Sequence, residues 1–314
     1  MSKIRTLRIF LFFAAASLVG GAVLGILLVK WGLRYPDSFF YPLIEGGEGT
    51  TVVRRVQTLV AIALAPWLLK SIGWKGFSDL GMRCPKTEIF RFAGAGYLMG
   101  FLCMGILLMI SIISGARIIE VDDVAYPWLS ILRGVLITGI GIGIIEEILT
   151  RGVLFRSLAR NISPWSAALL TSILFAYAHF AEIEYSSVFQ ESIYTGVKAS
   201  LAGEFVLENN RPIILEFINL ALLGIVLCRM VTYAGHIWLA VGFHASAVGM
   251  IKTISITTNI NRQQERGFLI GHNSGFLDGV LCTLFLGIVL GIIEFGIFRK
   301  TQNNQKHEAT SEFE

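Results

Sequence analysis

Long apolar runs separated by short polar stretches constrain this chain more than any other feature. The first, IFLFFAAASLVGGAVLGILLV, follows the basic start MSKIRTLR. Further runs fall at approximately 56–74, 92–114, 128–150, 165–182, 213–233, 236–257 and 276–298, with the first at about 9–31. About 20 apolar residues in a helix cross the hydrocarbon core of a bilayer. Runs of this length predict an all-α, polytopic membrane protein with about eight transmembrane helices in one bundle. Composition agrees: 54% of the 314 residues are hydrophobic and only 15% are charged, against about a quarter charged in soluble proteins. The mean hydropathy is +0.68. The second run is the weakest, interrupted by Pro66 and Lys70; neighbouring helices can satisfy the carbonyl that a proline frees. The first run is longer than the 7–15 residues of a signal-peptide core and reads as a retained span.

Charge placement orients the bundle. Lys3, Arg5 and Arg8 flank the first span, and Lys or Arg is enriched in cytoplasmic loops. Alternation then puts Lys75, Arg83, Lys86 and Arg91 inside, together with Arg156, Arg160, Arg299, Lys300 and Lys306. The acidic loop at Glu120, Asp122 and Asp123 falls outside. The expectation is an integral, multi-pass protein of the plasma (inner) membrane with both termini cytoplasmic. The net charge of +4 is too small to suggest nucleic acid, and membrane lipids are the surrounding partner. With no repeat and no low-complexity linker, residues 1–300 read as a single transmembrane domain, and residues 301–314 as a polar, disordered cytoplasmic tail. In the long extracytoplasmic loop at about 183–212, YTGVKASLAGEFVLE is compatible with a short interfacial helix or an irregular loop. Cys84, Cys103, Cys228 and Cys282 lack metal or redox spacing and read as plain thiols. The GxxxG pair Gly96/Gly100 and the string Gly139, Gly141 and Gly143 suggest close helix packing.

The fourth run, GIGIIEEILTRGVLF, carries Glu146, Glu147 and Arg151. A charge at the centre of a span costs about 2.5–3.5 kcal/mol on insertion scales, so such residues mark functional sites by default. Glu147 and Arg151 are four apart, share a helix face and can form an ion pair. Glu146 lies about 100° round the helix and has no basic residue at i±3 or i±4. A desolvated, unpaired carboxylate is suited to general acid–base work. The alternative is that all three only bind helices together.

Histidine adds two more polar groups. SILFAYAHFAE places Phe175 and His179 on one face of the fifth span, and GHIWLAVGFHASAVGM puts His244 inside the seventh, with His236 at its edge. Asn161–Pro164 can turn the chain, with Ser163 as N-cap and Pro164 as first helical residue. Folding the two helices antiparallel about that turn brings Glu147 and His179 to nearly the same depth at 1.5 Å per residue, suggesting one polar site.

E-E-x-x-x-R at 146–151, F-x-x-x-H at 175–179 and the third-motif histidine at 244 together resemble the CPBP family of CAAX prenyl proteases and bacteriocin-processing or abortive-infection proteins, over roughly residues 90–255. The resemblance implies an intramembrane glutamic endopeptidase acting on membrane-associated peptide or protein substrates, some of them lipidated. Glu146 and His179 would activate a water, Glu147 and Arg151 would form the supporting pair, and His244 would stabilise the oxyanion, with Phe175 packing within its motif. One departure is Val248, where the family usually has a polar residue; Ser246, His236 or a backbone N–H would have to substitute. The expected site is metal-free, with zinc at Glu146, His179 and His244 as the alternative, since no HExxH is present. The rival functions are a proton-coupled transporter and a non-catalytic immunity or binding protein.

Overall fold

A computed structural model of the chain describes residues 3–38, 41, 49–76, 78–120, 127–180, 192–202, 211–261, 267–271 and 275–311. The expected helical class holds, at 82% helix. Helices α1 (Lys3–Ala15) and α2 (Gly21–Arg34) are joined by a π-helical turn at Ala16–Gly20 into one rod. Then come α3 (Gly49–Ser71), which runs unbroken through Pro66, and α4 (Lys86–Ile113). The fourth run is composite: α5 (Pro127–Arg133), a π-helical stretch Gly134–Ile142, α6 (Gly143–Glu147), a second π stretch Ile148–Phe155, and α7 (Arg156–Ala159). It is followed by α8 (Pro164–Phe180), the short α9 (Ile193–Ala202), α10 (Arg211–Ala234), α11 (Trp238–Thr257), α12 (Gly267–Ile270) and α13 (Val280–Ser311).

Six of these helices are long and apolar enough to cross a bilayer, and they coincide with the first three and last three apolar runs. The fifth run is the 17-residue α8, and the fourth is the composite helix, so the count of about eight is approximate. The surface supports the membrane reading. On α13, Leu284, Ile288, Ile292 and Phe295 recur on one face and are each more than half exposed. Glu147, Arg151, Arg229 and His244 are instead buried. An apolar outside around a polar inside is the distribution that lipid, rather than water, selects. The chain is an integral membrane protein.

The contacts among the described interhelical segments fall into two groups, one at each end of the bundle. At one end the Arg156 guanidinium donates to the carbonyl oxygens of Asp79 (2.8 Å) and Gly235 (2.9 Å), and Ile237 N–H donates to Gly81 O at 3.0 Å. Arg160 pairs with Asp79 at 2.6 Å. The Lys75 backbone N–H and that guanidinium hold the Asp79 carboxyl below its ordinary value. At the other end a two-stranded antiparallel ribbon joins β1 (Arg117–Ile119) to β2 (Thr258–Ile260), with Ile118 opposite Asn259. The ribbon is a small addition to the all-α expectation.

Ser163 caps α8 as expected, its hydroxyl accepting the Ser166 N–H at 3.0 Å. Residues 193–202 are helical, with Gly196 against Ile26 of α2, and residues 203–208 of that stretch lie outside the described residues. The C-terminal residues depart from expectation: α13 continues to Ser311, so the polar stretch after Lys300 is helix where disorder was expected. Asp122 and Asp123 lie outside the described residues.

Glycine decides how α11 is seated. A Cβ on Gly96 would overlap the Leu239 carbonyl oxygen, and one on Gly242 would overlap that of Ala93. Gly100 faces the Phe243 carbonyl, and Gly139 the Ala245 carbonyl. The helix that carries His244 is thus gripped by α4 on one side and by the composite helix on the other, at distances only glycine permits.

Candidate active site

The two adjacent glutamates have opposite environments. The Glu147 side chain is fully buried, whereas that of Glu146 is 31% exposed. Successive residues of a helix point about 100° apart, so one faces the bundle interior while its neighbour opens. Their five-residue α segment lies between two π-helical stretches; π-type turns within helices occur frequently at functional sites.

Glu147 Oε1 is the centre of the cluster. It accepts from Arg151 Nη1 at 2.8 Å, the pair expected from their spacing, and from His244 Nδ1 at 2.8 Å. The second bond joins residues distant in the chain, and no sequence pattern pointed to it. Arg151 Nη1 also donates to Thr150 Oγ1 (2.7 Å), whose hydroxyl donates to Glu146 O (2.6 Å). The Arg151 guanidinium stacks over the Phe175 ring at 4.5 Å. Phe175 in turn touches His179, with ring centroids 4.5 Å apart, and meets His244 edge-on at 6.0 Å. It is therefore the apolar wedge that spaces three polar groups from three helices.

Hydrogen bonding assigns the imidazole nitrogens. A ring nitrogen facing a carboxylate or a carbonyl must donate, so His244 Nδ1 carries a proton toward Glu147. His179 Nδ1 does the same toward Phe175 O at 2.9 Å. His244 Nε2 then points at Glu146 Oε2, 3.7 Å away. That is too long for a direct hydrogen bond, and it leaves the two groups facing each other. His179 Nε2 is left as an acceptor when the ring is neutral.

Other residues considered from sequence fall elsewhere. Ser246 is buried against Gly100 of α4, and its hydroxyl has no hydrogen-bond partner among the described residues. His236 packs edge-on against Phe92, centroids 4.6 Å apart, at the end of the bundle. It is eight residues before His244, about 12 Å along a helix. Val248 lies one turn beyond His244 and is partly buried. The ligating atoms of Glu146, His179 and His244 do not converge as a set within 4.8 Å of one another, so the zinc alternative would require them to move together.

A membrane-embedded, partly accessible carboxylate with two positioned imidazoles has the groups that general acid–base chemistry uses. Comparison with known families narrows the class. Residues 127–250 match the family described as type II CAAX prenyl endopeptidase Rce1-like, a protease family. The stretch runs from α5 into α11 and contains every residue of the cluster, and over that stretch it supports the resemblance to the CPBP/CAAX protease family. No curated protein and no solved structure matches the chain.

Proposed function

We propose that this protein is an intramembrane endopeptidase of the CAAX-protease type that cleaves membrane-associated peptide or protein substrates with a water activated by Glu146 and His179. The observation that carries the reading is the asymmetry of the glutamates: Glu147 is buried and occupied by Arg151 and His244, while Glu146 is partly open and faces an imidazole nitrogen at 3.7 Å. Glu146 accepts the proton of the attacking water, and His179 Nε2 orients that water. The tetrahedral oxyanion is met by His244 Nε2, which requires the ring to carry both protons, one of them held by Glu147. Such preorganised donors are worth most where water is excluded. The site works without a metal ion in this reading, and both termini are cytoplasmic. Lipidated substrates fit the family's description.

A second reading has one observation behind it. Val248 offers no donor, and neither Ser246 nor His236 lies where it could replace one. A non-catalytic member of the same family would tolerate that loss. Cleavage of a synthetic membrane peptide by the purified protein, with Glu146→Gln as control, decides between them. Activity that disappears in a folded Glu146→Gln variant supports the protease. Activity that survives it rules out the assigned base, and no activity in either form favours the non-catalytic reading.

A further inference from the structure

Away from this cluster, three metal-ligating side chains from separate parts of the chain meet at the end of the bundle that carries Asp79 and Arg156. Cys84 lies in the segment before α4, Glu88 in the first turn of α4, and His236 in the turn between α10 and α11. One ligand atom from each lies within 4.8 Å of the other two. A tetrahedral zinc ion with bonds of about 2.0–2.3 Å needs its ligand atoms about 3.3–3.6 Å apart, an adjustment within the reach of side-chain rotation.

His236 supplies an independent observation. It is 5% exposed, and neither ring nitrogen has a hydrogen-bond partner elsewhere among the described residues. A buried imidazole with both nitrogens idle forfeits its hydration without return. The Phe92 ring holds it edge-on, and Phe92 is four residues after Glu88, on the same face of α4. The ring is fixed beside the two other donors, and a ligand there would satisfy it.

We infer that Cys84, Glu88 and His236 form a binding site for a zinc-type divalent cation. Thiolate and imidazole select zinc, cobalt or copper over magnesium and calcium. On binding, the Cys84 thiol gives up its proton to solvent, and S–metal, N–metal and O–metal bonds form, with water at the fourth position. The ion straps the start of α4 to the start of α11, the two helices that interlock through Gly96, Gly100 and Gly242. It steadies the seat of His244 from a distance and takes no part in chemistry there.

The test uses the full-length protein in lipid nanodiscs, stripped with chelator and titrated with Co²⁺. One equivalent should give a thiolate-to-cobalt charge-transfer absorption that Zn²⁺ abolishes. Cys84→Ser and His236→Gln should each lose the band, and the exposed Glu88→Gln should weaken binding at least tenfold. Glu146→Gln should keep the band, since neither Glu146 nor its histidine neighbours can produce a thiolate signal. Zn²⁺ should also slow alkylation of Cys84 at least tenfold in the wild type, a readout that does not depend on whether a variant folds. Absence of the band in wild type, its survival in Cys84→Ser, or unchanged alkylation with Zn²⁺ overturns the site.

Discussion

Replacing Gly100 by alanine tests whether glycine contacts seat the histidine helix. A Cβ there would lie 2.7 Å from the Phe243 carbonyl oxygen and 3.2 Å from Ser246 Cβ. Even weak C–H···O contacts settle at about 3.3 Å, leaving a shortfall of about 0.6 Å. The obstructing atom is backbone and cannot rotate aside, so α4 and α11 must separate. Overpacking of this kind typically costs about 1–3 kcal/mol, while alanine gains about 1 kcal/mol over glycine in helix propensity. Gly105 on the same helix has nothing within 4 Å of an added Cβ, so Gly105→Ala receives the propensity gain alone. The two variants should therefore differ by about 1–3 kcal/mol, with Gly100→Ala the less stable, in SDS-induced unfolding from mixed micelles. Activity gives a second readout, because Phe243 immediately precedes His244. Misplacing a reacting group by about 1 Å can cost on the order of 100-fold, and about 0.6 Å should lower kcat on the order of tenfold. Equal stability of the two variants would refute the glycine seating.

Glu147→Gln should destabilise the protein by about 3–5 kcal/mol, the usual cost of leaving one half of a buried ion pair; unfolding of purified variants checks it, and a loss as small as that of Glu146→Gln would contradict the division of roles. Val248→Asn should raise kcat on a membrane peptide if the oxyanion site lacks a donor, recovering part of the roughly 100- to 1000-fold that one donor is worth; an unchanged kcat in a folded variant sinks that idea. The Asp79 carboxyl is held below its ordinary value by the Lys75 N–H and by Arg160, so its contribution is present above the unfolded value near pH 4 and lost as pH falls through the lower folded value. The melting-temperature advantage of wild type over Asp79→Asn should shrink across that acid range, and a constant difference would show that the pairing contributes nothing.

Much of the helical order was readable because lipid leaves few alternatives. Runs of about 20 apolar residues became helices, the Ser163–Pro164 signal opened α8, and the spacing of Glu147 and Arg151 became a contact. What could not be read depended on partners far along the chain. Nothing local to the EExxxR stretch says that His244 shares an oxygen with Arg151. The π-helical stretches flanking Gly143–Glu147 have no pattern distinct from an apolar α-helix, because their hydrogen-bond shift is imposed by packing. The last helix overran its apolar run to Ser311, since Gln, Lys, Glu and Ala are adequate helix formers once a helix is already nucleated. Cys84 and His236 looked unremarkable alone, as neither has a metal-binding spacing.

The proposed division of labour between the glutamates rests on how a single imidazole is held. Glu147 Oε1 already accepts two donors, and its other oxygen has no hydrogen-bond partner among the described residues. Buried and balanced by Arg151, it is closed to solvent. Glu146 is partly open, and the composite helix turns it away from the guanidinium. The His244 ring then bridges the two, with Nδ1 anchored on Glu147 and Nε2 directed at Glu146. The buried pair therefore acts on the proposed chemistry through geometry: it fixes which edge of His244 faces the open glutamate. Phe175 touches both the Arg151 guanidinium and the His179 ring, each at 4.5 Å from its centroid. Adjacency is what allows the two glutamates to differ: residues about 100° apart and 1.5 Å apart along one helix hold one carboxylate in the interior and leave the other partly open at nearly the same depth.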